Sequence, residues 1–294
     1  MPYAAHDAFI APAKGYPQIW RFVVGLGLAI AVYALGIFAL MGLIALFNGG
    51  LSGLQPWMQR IQIADTPTAT LLILGTFVGM GGGAMLATKL LHKRPIASLF
   101  GPFATLQRQF LIAVGVAAIV FAASMLIPTD LMLQSNLELA IWASFMPLAL
   151  VGVLIQTGAE EILFRGYIQQ QLAARFSNPI IWMVLPSVLF ALAHLDPTTY
   201  GPNAWLIVAA TGLFGILAAD LTAKTGNIGA AWGLHFANNV LALLLISLDG
   251  PLSGLALYVI PISVTSADIL RPLIYMDMGI TFTAWAAIRY AVTR

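Results

Sequence analysis

Long uncharged runs recur along the chain and are separated by short polar segments. A helix needs about 20 apolar residues to cross the hydrocarbon core of a bilayer. Seven uncharged runs of about this length are present. An eighth segment, interrupted by Asp277 and Arg289, is predicted from about Pro272 to Ala291. The pattern therefore predicts an all-α fold, a polytopic membrane helix bundle of about eight transmembrane helices. The seven uncharged runs are Phe22–Phe47, Thr66–Thr88, Gln109–Thr129, Leu139–Ala159, Phe176–Leu195, Pro197–Ala219 and Thr225–Leu248.

Breaks in this pattern divide the chain into three parts. We expect a tail and three helices in residues 1–137, a core of four helices in residues 138–248, and a final part in residues 249–294. Gly250–Ala267 is uncharged but contains two prolines and several glycines, which favours a loop or a re-entrant segment. The glycine-rich Gly79–Gly83 lies inside an apolar run and predicts close packing against a neighbouring helix.

Composition excludes a soluble protein. The chain has 294 residues, of which 60% are hydrophobic and only 8% are charged, and its mean hydropathy is +0.92. Soluble domains carry about 25% charged residues to solvate their surface. The lipid bilayer is therefore the expected solvent. A net charge of +2 gives no indication of a nucleic-acid partner, and the absence of cysteine excludes disulfides, thiolate metal sites and a cysteine nucleophile.

Basic residues are distributed unevenly over the predicted loops. If the N-terminus is cytoplasmic, eleven of the thirteen Lys and Arg residues, including Arg294, lie in cytoplasmic segments. Only Arg60 and Arg271 lie on the opposite side. Because positive residues favour the cytoplasmic side, we expect both termini there. In a bacterial host the membrane would be the plasma (inner) membrane.

Ionisable side chains interrupt three of the apolar segments. Glu160 and Glu161 follow the fourth run, His194 lies at the end of the fifth, and His235 lies inside the seventh. Such groups are costly inside a membrane and are therefore candidates for function. Asp277, in the last predicted helix, is a lone acid to which the sequence assigns no role.

The spacing of these residues places several of them in pairs. On a helix, residues four apart share a face, as Glu161 and Arg165 do, and as His235 and Asn239 do. Glu161 and Arg165 are in the favourable order for an ion pair. Glu160 points about 100° away from Glu161 and is expected to be free of that pair.

This set of side chains suits the hydrolysis of an amide. A carboxylate in a low-dielectric site becomes more basic, and together with a histidine it can hold and deprotonate a water. A histidine and an asparagine on one helix face can donate hydrogen bonds to a developing oxyanion. If the polar faces of the three helices converge, the bundle contains the minimum set of groups for this reaction.

Three motifs resemble the signature of the CPBP family, which contains type II CAAX prenyl endopeptidases and the Abi-type proteins linked to bacteriocin immunity. The resemblance covers roughly Pro147–Leu248. It implies an intramembrane endopeptidase of eight helices that cleaves a membrane-associated or lipidated protein or peptide. The motifs are Glu160-Glu161-x-x-x-Arg165, Phe190-x-x-x-His194 and His235-x-x-x-Asn239.

Roles for six residues follow from the resemblance alone. It implies that Glu160 and His194 activate water and that His235 and Asn239 form the oxyanion site. The remaining two, Glu161 and Arg165, would shape the site.

Metal dependence stays open at the level of sequence. The chain has no His-Glu-x-x-His motif, and Asn239 beside His235 suits an oxyanion site better than a metal site, so no metal or other cofactor is expected. The alternative is a zinc ion bound by Glu160, His194 and His235.

Two other functions are weighed against the protease. A catalytically silent membrane scaffold, or a factor of the bacteriocin-immunity type, could use the same fold. A small proton-coupled transporter could use the buried acids and histidines as a relay, although no inverted repeat is apparent.

A simple up-and-down arrangement would separate Glu160 from His194 by about 20 Å along the membrane normal. The two side chains can meet only if the fourth helix continues through the amphipathic stretch Gln156–Phe176, or if the fifth helix begins below the membrane. We expect both adjustments.

Overall fold

The structure is a computed structural model that describes residues 3–129 and 131–293. Arg294, which was counted among the basic residues above, lies outside the described residues. The helices of the described part are α1 (Ala4–Ile10), α2 (Ile19–Phe47), α3 (Leu51–Ile63), α4 (Pro67–Leu91), α5 (Phe103–Ser124), α6 (Leu139–Glu161), α7 (Gln170–Arg175), α8 (Leu185–Leu192), α9 (Pro197–Tyr200), α10 (Ala204–Thr225), α11 (Gly229–Val240) and α12 (Ala267–Ala291).

Short segments of other helix types join these elements. Tight 3₁₀ turns occur at Ala11–Gly15, Ile96–Leu99, Gly201–Asn203 and Ser253–Leu255, and wider π-helical turns occur at Ile162–Gln169, Ile180–Val184 and Leu241–Leu245. The first π turn joins α6 to α7 without a break, so that one helix runs over Leu139–Arg175. The expected continuation of the fourth helix through Gln156–Phe176 is thus present as far as Arg175.

Five helical stretches of the described chain are long and apolar enough to cross a bilayer, judged by length and composition. Two further apolar helices, Ile180–Leu192 and Gly229–Leu245, are shorter, and α12 has 25 residues. The predicted polytopic helix bundle is confirmed, whereas the count of eight crossings stays a prediction. The five stretches are Ile19–Phe47, Pro67–Leu91, Ile96–Ser124, Leu139–Arg175 and Pro197–Thr225.

The surface of the bundle is apolar, as a lipid-facing surface should be. Phe38 and Ile119, for example, are 72% and 71% exposed in the isolated chain. Inside the bundle, large apolar residues such as Leu99 and Tyr167 pack together with small ones. A Cβ at Gly83 would lie 2.7 Å from the carbonyl oxygen of Ala29, so α2 and α4 approach closely at this point. The close packing predicted for the glycine-rich part of α4 is confirmed.

Residues 250–267 form a compact loop with little regular structure. β1 (Gln134–Ser135) pairs antiparallel with β3 (Tyr258–Ile260), and β2 (Ile246–Leu248) pairs parallel with β3. The amide of Gly254 donates to the carbonyl of Ala64 at 3.1 Å. These short pairings hold the loop against the start of α4.

Candidate functional site

A cavity of about 420 Å³ lies between α4, α6, α8, α10, α11 and α12. We call it the motif cavity, because Glu160, His194, His235 and Asn239 all line it. The structure therefore brings the four residues assigned as catalytic by resemblance to one place. Its apolar walls include Leu74, Phe77, Phe190, Ile207 and Phe214.

The contact between α6 and α11 fixes the centre of this site. Gly158 leaves room for the indole of Trp232, since a Cβ at this position would lie 2.6 Å from the ring. The indole N–H of Trp232 donates to the hydroxyl of Thr157 at 3.1 Å. The two helices thereby bring His235, one turn after Trp232, alongside Glu160.

Glu161 is the most buried acid of the site, with a fully buried side chain. Its Oε1 accepts from Nη1 of Arg165 at 2.9 Å and lies 2.8 Å from Nδ1 of His235. The predicted Glu161–Arg165 ion pair is therefore present, and it also orients the ring of His235. Arg165 is further held by the carbonyl of Gly215 at 3.3 Å and by the face of Phe190, 5.0 Å away.

Glu160 takes no part in the Glu161–Arg165 ion pair, as helical phase predicts, but it has a partner on another helix. Its Oε2 lies 3.3 Å from Nε2 of His235. The sequence could not show this contact, because the two residues are 75 positions apart on different helices. His235 thus lies between the two glutamates. We call Glu160, Glu161, Arg165 and His235 the Glu160 cluster.

Hydrogen-bond chemistry limits where the protons of this cluster lie. A carboxylate only accepts, so Nδ1 of His235 carries a hydrogen toward Glu161. Nε2 of His235 lies 3.3 Å from Oε2 of Glu160 without the geometry of a hydrogen bond, so this contact does not fix the position of a further proton.

His194 lies in the turn that follows α8 and is partly exposed to the cavity. Its Nδ1 is 2.8 Å from the carbonyl oxygen of Phe190, which only accepts, so Nδ1 carries a hydrogen. In the neutral ring, Nε2 is then left as a hydrogen-bond acceptor. The turn is fixed by Asp196, which caps α9, and hydrogen bonds from Thr198 and Thr199 lower the pKa of Asp196 to about 2.

Asn239 is positioned by a residue that the sequence analysis missed. Its Nδ2 donates to Oε1 of Gln156 at 2.8 Å, and Gln156 is itself buried. Gln156 lies four residues before Glu160, so the same helical spacing that paired Glu161 with Arg165 would have placed it on the face of Glu160. Asn238 also lines the motif cavity and donates to Oδ1 of Asn239 at 3.2 Å.

Asp277 lines the motif cavity as well. No pattern in the sequence connects this residue of α12 with the three motifs. Its position adds a second acidic group, from a fourth helix, to the wall of the cavity.

Two of the three motifs adjoin a π-helical turn, and a third π turn lies one helix before the remaining motif. Glu160 and Glu161 precede the turn at Ile162–Gln169, Asn239 precedes the turn at Leu241–Leu245, and the turn at Ile180–Val184 leads into the helix before His194. Single π turns inside α-helices are often found at functional sites. Here they change the phase of the helix immediately beside the polar residues.

The zinc alternative finds limited support in this geometry. Among the residues that the structure describes, no three His, Cys, Asp or Glu side chains are arranged to hold a metal ion. Nδ1 of His235 is occupied by Glu161 at 2.8 Å, and Nε2 faces the carboxylate of Glu160 at 3.3 Å. Nε2 of His194 and the carboxylate of Glu160 keep the acceptor character of ligands.

Comparison with known proteins agrees with the resemblance seen in the three motifs. Residues 141–241 match the family described as type II CAAX prenyl endopeptidase Rce1-like, which confirms that resemblance over this segment. The chain is also 25% identical over 249 residues to the uncharacterized protein YyaK of Bacillus subtilis (strain 168), covering 80% of each chain. No solved structure shows a significant match. With several apolar helices and a matching segment of a membrane protease family, the chain is an integral membrane protein.

Proposed function

We propose, on the premise that residues 141–241 are similar to the Rce1-like endopeptidases, that this chain is an intramembrane endopeptidase. The similarity supports a CAAX-protease-like activity at the level of the family. The observation that carries the proposal for this chain is the meeting of Glu160, His194, His235 and Asn239 in one cavity with largely apolar walls.

Water is activated between Glu160 and His194 in the proposed reaction. The acceptor nitrogen Nε2 of His194 and the carboxylate of Glu160 orient a water and remove one of its protons. The resulting hydroxide adds to the carbonyl carbon of the peptide bond. The C–N bond then breaks as the leaving nitrogen receives a proton, giving a carboxylic acid and an amine.

The oxyanion that forms in this reaction is stabilised by His235 and Asn239. One hydrogen of the Asn239 amide is directed to Gln156, which leaves the second for the oxyanion. His235 contributes when its Nε2 carries a hydrogen. Fixed donors of this kind are effective because they need no reorganisation during the reaction.

The apolar walls indicate the kind of substrate. Phe77, Phe190 and Phe214 offer aromatic surface to an apolar side chain or a lipid chain, and they exclude bulk water from the peptide bond. A membrane-associated or lipidated protein or peptide suits such a cavity better than a soluble, charged peptide.

The purified chain in proteoliposomes, mixed with membrane-anchored peptides in water enriched in ¹⁸O, tests this proposal. Hydrolysis predicts new C-termini that carry the heavy isotope, seen by mass spectrometry. His194→Ala should abolish them. Leu192→Ala, a lipid-exposed change two residues away and outside the cavity, should leave them intact. The absence of cleavage by the folded wild type, or equal cleavage by both variants, would contradict the proposal.

Two further points are proposed with the function. The reaction proceeds without a bound metal, so complete loss of cleavage on chelation, reversed by zinc, would restore the zinc alternative at Glu160, His194 and His235.

Both termini are cytoplasmic, so a reporter fused to the C-terminus should be active on that side only.

A further inference from the structure

A second cavity, of about 510 Å³, lies where α4 ends and the chain turns toward α5. Its lining residues are three basic side chains and two apolar ones: Lys89, Lys93, Arg94, Pro95 and Ile96. We call it the basic cavity. No acidic residue of the described chain lines it, so its positive charge is not neutralised by its own walls.

Arg94 is the unusual member of this group. Its side chain is 95% buried, since the residue is only 5% exposed, yet none of the ion pairs formed by the described residues includes it. A buried charge without a counter-ion is costly, and it normally indicates a missing partner. Burial lowers the pKa of Arg94 to about 10, so the guanidinium stays charged at neutral pH.

Only one of the guanidinium nitrogens of Arg94 is satisfied within the protein. Nη1 donates to the hydroxyl of Ser98 at 2.7 Å and to Oε1 of Gln170. Nε and Nη2 have no hydrogen-bond partner among the described residues. These two nitrogens, which the surrounding protein encloses, form the edge of the guanidinium fork that binds the oxygens of a carboxylate or a phosphate.

The remaining cations of the basic cavity are exposed, and the ammonium of Lys93 lies 5.7 Å from the ring of Tyr16. Lys89 lies in the last turn of α4 and Lys93 in the loop after it, and both belong to the segment predicted to lie on the cytoplasmic side. Anionic phospholipids give the cytoplasmic leaflet its negative surface potential, which attracts such residues. A buried guanidinium flanked by two exposed ammonium groups is the arrangement expected for an anionic oxygen group at the membrane surface.

We infer that the basic cavity binds a phosphate group, with Arg94 as its buried contact and Lys89 and Lys93 as its outer contacts. The phosphate is carried by an anionic phospholipid headgroup or is present as the free ion. Because Gln170, which holds Nη1 of Arg94, lies on the helical stretch that also carries Glu160, an occupied site stabilises the segment behind the motif cavity.

The test is a titration of the full chain in detergent, followed by its thermal unfolding. Three probes are compared: a short-chain phosphatidylglycerol, a short-chain phosphatidylcholine and inorganic phosphate. The double variant Lys89→Gln/Lys93→Gln removes two exposed charges and should not disturb folding. The matched control is Arg108→Gln/Lys224→Gln, which removes two charges from the same predicted side but outside the cavity.

Phosphatidylglycerol is expected to raise the unfolding temperature of the wild type and of the control variant. In the double variant at Lys89 and Lys93, the lipid concentration that gives half of the maximal rise in unfolding temperature should be about tenfold higher. If inorganic phosphate gives the same shift with the same dependence on the variants, the site takes the free ion. Equal responses of the two double variants, or an equal response to phosphatidylcholine, would overturn the inference.

Discussion

Two clusters in this protein each combine a buried acid with an arginine, and they differ in how fully the acid is satisfied. Besides the Glu160 cluster, a second group joins Asp220 to Tyr3, Trp285 and Arg289, and we call it the Asp220 cluster. Asp220 accepts from Tyr3 at 2.7 Å, from Trp285 at 3.0 Å and from Arg289 at 2.9 Å. Both of its carboxylate oxygens are therefore occupied.

The acids of the Glu160 cluster are about as buried as Asp220 but less well satisfied. Within the described residues, Oε2 of Glu160 and Oε2 of Glu161 have no hydrogen-bond partner. The contact of Glu160 with His235, at 3.3 Å, lacks the geometry of a hydrogen bond. A fully paired acid holds helices together, whereas an acid with spare acceptor capacity, facing a cavity, is available for chemistry.

The largest effect on stability is expected at Arg165. In Arg165→Met the carboxylate of Glu161 loses its cation in a site that is fully buried, which should cost roughly 3–5 kcal/mol of unfolding free energy. Chemical unfolding in detergent measures this loss. A change of less than about 1 kcal/mol would mean that the pair is solvated and that the contrast with the Asp220 cluster is wrong.

A smaller loss is expected at Asp220. The change Asp220→Asn leaves its three donors facing an amide that accepts through only one oxygen, and it should cost roughly 1–3 kcal/mol. Turnover per folded molecule should stay at the wild-type value, because this cluster does not line the motif cavity. A folded Asp220→Asn protein without activity would show that the two clusters are not independent.

Acidification is expected to destabilise the N-terminal segment, in which Tyr3, immediately before α1, donates to Asp220. Burial lowers the pKa of His6 to about 4 from its usual 6.5. Between these values the unfolded chain binds more protons than the folded one, so stability falls as the pH drops below about 6.5. From pH 7.5 to 5 the loss should be about 2 kcal/mol, and it should disappear in His6→Phe. An unchanged pH dependence in that variant would contradict this assignment.

The smallest effect is expected at Arg289. Its side chain is 36% exposed, in contrast to 3% for Arg165. Because water screens a half-exposed ion pair, Arg289→Met should cost about 1 kcal/mol or less in the same unfolding experiment. A loss as large as that of Arg165→Met would remove the distinction between the two arginines.

The features of the fold that depend on local pattern were predictable. The apolar runs predicted the helices, the glycines of α4 predicted its close packing with α2, and the spacing of Glu161 and Arg165 predicted their ion pair. Each of these depends on residues within a few turns of one helix, where periodicity determines which side chains meet.

Features that depend on meetings between distant segments were not predictable in this way. The contact of His235 with Glu160, the position of Asp277 in the motif cavity and the bonds from Tyr3 and Arg289 to Asp220 all join residues of different helices. The π turns beside the motifs were also missed, because they shift helical phase without a distinctive residue. Gln156 is different, since its spacing from Glu160 was visible and was overlooked.

The most direct test of the central claim compares Glu160→Gln with Glu161→Gln in the cleavage of one membrane-anchored peptide. Glu138→Gln, an exposed change at the start of α6, is the matched control. Glu160→Gln should fold normally and lower turnover by about 10²–10⁴, because the amide cannot accept the proton of water. Glu161→Gln should first lose stability, since it leaves Arg165 without its partner. Normal cleavage by Glu160→Gln beside a folded but inactive Glu161→Gln would reverse the two roles, and full activity of both would show that the protein is not a glutamate-dependent protease.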